Sequence, residues 1–449
     1  MTSKRWLAAR SLAVGLLAGG IAAAAHAETL TDAFSLAYST NPTLLAQRAS
    51  LRATDETVAQ ANAQWKPTLS ATASVTRSNT SGNTSNNTTP TSVALSLSQT
   101  LYRGGRITEG VQQAEAQVLA ARARLRTSEQ TVLSSAVAAF MGVLQNQALL
   151  QLNQSNEQVL TNQLEATRNR FQVGDATVTD VALAQAALSA AAASRIQAEG
   201  NLQAAVSSYV QVMGQAPGNL VAPDPMKGLP PTLQNVVSIG LAENPTVIAA
   251  QYTLAASQHA VVSAEGALRP TVSATARTSR SADWVELGTP TYANSIGISI
   301  SVPLYQGGGE YSTIRSAKES SVQSQLLADD ARRTVTQAAT QAWQQLATAR
   351  ASILSRSDQV RASEQALAGV QQEREVGAKT LLDVLTAEQN LLNARVALVT
   401  ARRDEVVASY SLLSAMGRLT AEALTLPVTP YDAVAHYDRV QDAWIGTNP

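Results

Sequence analysis

The chain contains no cysteine, so disulfides, thiolate chemistry and an acylated N-terminal cysteine are all excluded from its design. Histidine is almost as scarce: of three, His26 falls in an N-terminal leader, and His259 and His436 stand alone, reading as surface or helix residues rather than metal ligands. No nucleophilic-serine elbow and no metal-binding helix motif occurs, so an enzyme or a cofactor has little to work with. Lys+Arg and Asp+Glu number 33 each, which leaves no net field to draw nucleic acid or acidic lipid. Partners must be recognised by shape. Only 3 Phe and 5 Trp occur in 449 residues, whereas Ala, Ser, Gln and Leu abound. Small side chains suit helices packed at close range better than one thick aromatic core.

What is present begins with a leader. Lys4, Arg5 and Arg10 precede an apolar stretch over 12–25 that ends in Ala25-His26-Ala27, the pattern of a secretory signal at 1–27 with Glu28 as mature start. A retained anchor is the alternative; the short run and the small-residue triplet fit cleavage. Beyond it the chain repeats itself. Asn41-Pro42 falls on Asn244-Pro245, a shift of 245 − 42 = 203. Without a gap, the same shift sets Pro67-Thr68 on Pro270-Thr271, Leu101-Tyr102 on Leu304-Tyr305, Val173-Gly174 on Val376-Gly377, Asp180 on Asp383 and Met213-Gly214 on Met416-Gly417. The chain therefore divides into a first repeat over 28–213, a proline-rich linker over 214–232, a second repeat over 233–426 and a tail over 427–449.

Each repeat carries two segments of period two. Leu69, Ala71, Ala73 and Val75 alternate with hydroxyl residues; Val93, Leu95 and Leu97 stand against Ser92, Ser96 and Ser98, Val272, Ala274 and Ala276 against Ser273 and Thr275, and Ile296, Ile298, Ile300 and Val302 against Ser295, Gly297, Ser299 and Ser301. The expected strands are 68–78, 92–102, 271–281 and 294–304. One aliphatic face and one Ser/Thr face over about ten residues suits a membrane-spanning β-barrel, with lipid outside and water inside. Soluble sheets alternate too, but Trp65, Tyr102, Trp284, Tyr292 and Tyr305 sit at the strand ends, where interfacial aromatics belong. The polar stretch 79–91 reads as a solvated outer loop. Four strands cannot close a barrel, and open edges are not tolerated in lipid. Sharing between subunits is required: two copies give 8 strands, nearly filled by side chains, and three give 12, which leaves a water-filled lumen.

The rest reads as helix. Residues 107–170 and 314–375 contain no proline and are rich in good helix formers, so each predicts a rod of roughly 95 Å with coiled-coil-like packing. Shorter helices are expected near 178–212 and 381–415, and near 32–63 and 235–268. The uncharged run 130–156 is long enough to span a bilayer, but its Ser, Gln and Asn residues point to packed helix. Val173-Gly174-Asp175-Ala176-Thr177 and Val376-Gly377-Ala378-Lys379-Thr380 each end one helix and start another, with Gly for the left-handed residue. Thr177 with Asp180 and Thr380 with Asp383 have capping-box spacing. The Gly104-Gly105 and Gly307-Gly308-Gly309 runs lack a following Gly-Lys-Ser/Thr and read as strand-to-helix bends, not phosphate loops. Arg332-Arg333 and Arg402-Arg403 read as solvated helix faces.

The segment from Val376-Gly377 through Thr380-Leu381-Leu382-Asp383-Val384-Leu385 to Ala387-Glu388 and Leu391, its counterpart around Val173-Gly174, and the paired Asn-Pro and Leu-Tyr-x-Gly-Gly sites resemble the TolC family of outer-membrane factors over nearly the whole mature chain. The resemblance implies a mixed α and β membrane protein: a homotrimer whose 12-stranded transmembrane barrel, four strands per subunit, sits in the lipid of the Gram-negative outer membrane and continues into an α-helical coiled-coil tunnel through the periplasm. It further implies assembly with a periplasmic adaptor, or membrane fusion protein, and an inner-membrane ABC or proton-driven transporter, in type I protein secretion or drug efflux. By resemblance, Val173, Gly174, Val376 and Gly377 lie in adaptor-docking tip turns. Asp180, Asp383, Lys379 and Arg374 lie at the constriction; Arg374 stands where the family often has Tyr, and Thr386 where it often has a second Asp. The ending from Tyr431-Asp432 to Trp444-Ile445-Gly446 looks like the tail of members that serve type I secretion. A trimeric coiled-coil surface stalk or adhesin without a pore is the alternative.

Overall fold

The computed structural model describes residues 27–80, 86–224, 226, 228–283 and 289–447; the leader over 1–26 and Trp284 lie outside the described residues. Helices α1 (Leu30–Thr40) and α2 (Pro42–Ala63) lead to strands β1 (Thr68–Val75) and β2 (Pro90–Arg103), then to helices α3 (Arg106–Gln172) and α4 (Val178–Met213). The same order returns as α5 (Leu233–Glu243), α6 (Pro245–Glu265), β3 (Thr271–Asp283), β4 (Thr291–Ser301), α7 (Gly309–Glu375) and α8 (Leu381–Ala415), and α9 (Ala435–Val440) lies near the C-terminus. Helices α3 and α7 each hold 67 residues, which makes rods of about 100 Å.

Where one helix was expected over 32–63 and another over 235–268, two stand in each place, because the Asn-Pro pair breaks them. A residue before proline is pushed out of the helical region, and Asn41 and Asn244 adopt ψ values of 120° and 123°. The break is used. Asn41 Oδ1 accepts from Thr43 N at 3.0 Å, capping α2, while Nδ2 donates to Val212 O at 3.0 Å at the end of α4. Asn244 repeats this with Thr246 N at 2.9 Å and Ala415 O at 3.0 Å. Each short helix pair is thus pinned to the returning helix of its own half.

The first half of the uncharged run in α3 lies in the main core, where Leu133, Val137, Phe140 and Val143 pack with Phe34 and Tyr38 of α1, Tyr209 of α4, and Leu419 and Leu426 beyond α8. Its apolarity is that of a helix buried among helices. Both histidines lie on helices, and each meets a carboxylate. His436, on α9, is buried with Nδ1 3.2 Å from Asp55 Oδ2, and His259 Nδ1 lies 2.9 Å from Glu109 Oε2. Among the described residues no group of three or more His, Asp or Glu is arranged to hold a metal.

The four strands form one antiparallel sheet in the order β1-β2-β3-β4, with β1 and β4 as open edges. Register places Leu69, Leu97, Ala276 and Ile296 side by side in one row, and Ser70, Ser96, Arg277 and Ser295 in the adjacent row on the opposite face. Strand β4 stops at Ser301, before Pro303, which cannot donate to a ladder; its counterpart Thr100 carries β2 on to Arg103 through a bulge at Thr100/Tyr102. The expected loop over 79–91 is partly a ribbon, since Ser78–Thr80 pairs with Asn86–Thr88. Beneath the sheet Gly104 adopts φ +66°, and a Cβ there would stand 2.2 Å from Gly266 O, so only glycine lets the two halves meet at this neck.

Candidate functional site

Each rod ends at a glycine that turns the chain back. Gly174 (φ +83°) and Gly377 (φ +78°) occupy the left-handed region, and the following residue closes the helix: Asp175 N donates to Arg170 O at 2.8 Å, Ala378 N to Glu373 O at 2.9 Å. Three residues past each glycine a threonine starts the next helix. Thr177 N and Oγ1 donate to Asp180 Oδ2 at 2.9 and 2.7 Å, and Asp180 N returns a bond to Thr177 Oγ1. Thr380 and Asp383 form the same box. The backbone N–H of the threonine, aided by its hydroxyl, holds both carboxyls below their ordinary value. The turns present Val173 and Val376 to solvent, 80% and 81% exposed, and a Cβ on either glycine would touch nothing within 4 Å. These tips are the free ends of the rods.

The two hairpins meet just behind the tips. Leu164 of α3, Ala184 of α4 and Leu381 of α8 form a small buried cluster. Arg374, half-buried at the end of α7, crosses to the other hairpin: with the Gln163 amide oxygen turned toward it, Nη1 donates to Gln163 Oε1 at 2.7 Å. Burial lowers its guanidinium pKa and Arg170 adds to this, against the opposing pull of Asp180 and Glu388. Glu388, on α8, is itself buried, and its Oε2 has no hydrogen-bond partner among the described residues. Burial pushes its carboxyl up, with Arg374 opposing. Of the four expected constriction residues, Arg374 and Asp180 are thus brought into electrostatic contact across the halves. Asp383 is tied within its own turn, with Lys379 exposed beside it. Gln163 went unread in the sequence, and Glu388 was named only within the tip segment, with no role of its own. Glu388 had a signal, because it shares the helical stripe of Leu381, Val384 and Leu391.

Trp65, Tyr102 and Tyr305 are exposed at the end of the sheet nearest the helices. Gln99 Nε2 ties Trp65 O to β2 at 2.6 Å.

The family model for outer membrane efflux proteins matches this chain twice, over residues 33–215 and 236–418, and 236 − 33 = 203 reproduces the internal shift. The chain belongs to this family. Outer membrane efflux protein BepC of Brucella suis biovar 1 is 38% identical over 94% of this chain and 92% of its own length. Outer membrane protein TolC of Escherichia coli K12 is 25% identical over 92% of this chain and 86% of its own. The crystal structure of the outer membrane protein VceC of Vibrio cholerae superposes with a TM-score of 0.76 at 21% identity, covering 86% of this chain and 96% of that one, and shares the fold. Membership makes the chain an outer-membrane efflux or secretion channel and not an enzyme, and the stalk reading finds no support.

Proposed function

We propose that three copies of this chain close a 12-stranded barrel and continue it as a helical tunnel, a passive duct across the outer membrane and periplasm. The observation that carries this is an aliphatic strand face left open to solvent. Along β2, Val93, Leu95 and Leu97 are exposed while Ala94, on the hydroxyl face, is 3% exposed and Ser92 and Ser96 are half-buried. On β4, Ile296 is 91% exposed. Water penalises such a face and lipid does not. The band also has the right height. From the Tyr102/Val272/Ile300 row to Arg280, whose guanidinium lies 5.8 Å over the Tyr292 ring, β3 runs 280 − 272 = 8 residues. At about 3.4 Å per residue and a tilt of about 40°, that is roughly 21 Å along the normal, close to the ~25 Å apolar band of outer-membrane barrels. Edges β1 and β4 have no outer partner strand among the described residues, and pairing each with a neighbouring copy satisfies them.

In that assembly the repeats 28–213 and 233–426 contribute equivalent hairpins, joined by 214–232 and buttressed by the tail 427–449. The tips at Val173, Gly174, Val376 and Gly377 face a periplasmic adaptor, and Asp180, Asp383, Lys379 and Arg374 surround the narrow end. Trp65, Tyr102 and Tyr305 lie at the lipid interface. An inner-membrane transporter, ATP-driven or proton-driven, supplies the energy, since nothing in the duct does. Native mass spectrometry from detergent, followed by planar-bilayer recording, tests this: a trimer with stepwise conductance is expected. A detergent-independent, non-conducting oligomer would overturn it.

A further inference from the structure

The C-terminal tail runs parallel to α2 toward the sheet. His436 meets Asp55, Asn62 Nδ2 donates to Gln441 O at 3.1 Å, and Lys66 Nζ donates to Ala443 O at 2.7 Å and Asp442 O at 3.3 Å. Tyr437 packs on Val58, Ala61, Ala114 and Val118 between these points. Asn62 and Lys66 thereby hold the backbone carbonyls of Gln441, Asp442 and Ala443, just beyond the end of α9. The clamp also aims the chain. Lys66 Nζ lies 5.1 Å from the centroid of the Trp444 ring, and Lys66 stands two residues before Thr68, where β1 begins. Trp444 is 69% exposed and Ile445 is 95% exposed, and Trp65, next in sequence to Lys66, is exposed as well.

We propose that this tail is a peripheral membrane anchor, with Trp444 and Ile445 seated in the headgroup and upper acyl region of the periplasmic leaflet. The inference rests on the barrel reading, which sets the membrane at β1. An indole and a lysine at one level form an interfacial pair, with the ring between water and hydrocarbon and the ammonium at the headgroups. Lys66 ties the tail two residues before the first strand of the sheet, and the chain has no cysteine to carry an acyl anchor instead.

The same lack of cysteine permits a direct test, because Ile445→Cys, Ile298→Cys and Val173→Cys each give one spin-label site per subunit. Intact protein is reconstituted into phosphatidylethanolamine–phosphatidylglycerol vesicles, and collision of the label with oxygen and with a water-soluble nickel chelate is measured. The expected result is an oxygen-dominated, lipid-like label at 445 and 298 and a chelate-dominated label at 173. Adding Lys66→Ala should move the 445 label severalfold toward the chelate and leave 298 unchanged; an unmoved label overturns the clamp. A water-like label at 445 with a lipid-like label at 298 overturns the anchor and leaves the barrel standing. Shielding of 445 from both reagents seats the tail on another copy and also overturns it. A water-like label at 298 removes the barrel reading itself, and the anchor with it.

Discussion

Placing a charge on one face of β2 and then on the other separates a barrel from a soluble sheet. Leu97 pairs with Ala276, five residues along β3 from the Thr271/Ser301 row at the foot of the sheet. At about 3.4 Å per residue and a tilt of about 40°, Leu97 stands roughly 13 Å above that foot, the middle of a ~25 Å band. Arg at mid-depth on the lipid face costs about 2 to 4 kcal/mol, or about 6 to 12 for three copies, comparable with the whole stability of many domains. Ser98, one residue on, points to the opposite face and pairs with Thr68 and Thr275. Arg there meets hydroxyls and water, and the change should stay within about 0.5 kcal/mol. Ser96 makes a poorer control because it lies opposite Arg277, and like charges in register destabilise. The assay is the temperature at which the trimer band dissociates on a gel, with the amount of trimer in outer-membrane fractions. Leu97→Arg should abolish or sharply weaken the band and Ser98→Arg should leave it. Equal tolerance of the two would refute the assignment of faces.

Gly377→Val forces a β-branched residue to φ +78° with no steric clash, costing about 1 to 2 kcal/mol locally; trimer and membrane insertion should persist while export is lost, and normal export would sink the docking role. The double variant Asp180→Asn, Asp383→Asn should lose cation selectivity and divalent block in single-channel recordings with little change in melting. Retained selectivity with lower melting would make both residues helix caps only. Because both carboxyls are held below 3.8, their capping contribution is complete above that value and fades as pH falls through the lowered one; amide exchange at the start of α4 and α8 should accelerate only in strong acid. Asn244→Ala removes a cap and leaves Ala415 O without its buried donor, so a loss of about 2 to 4 kcal/mol is expected by calorimetry, and an unchanged transition would refute the pinning role.

Much of the architecture was legible because it is written in local periodicities. The 203-residue shift, the period-two strands, the proline-free rods and the glycine turns each depend on residues close in sequence, so the element order followed from the chain alone. The Asn-Pro breaks carried their signal too, since proline acts on its immediate neighbour; what the chain alone did not show is that Asn41 and Asn244 reach Val212 and Ala415, 171 residues away in each half. The same limit hid Glu388 behind Arg374, His436 against Asp55, and the return of the tail to Lys66. The sequence alone excluded thiol chemistry and placed aliphatic side chains along one face of the strands. The tertiary structure decided how the strands pair in register, which rods touch behind the tips and where the tail ends, because those depend on contacts between residues whose separation in sequence carries no periodic trace.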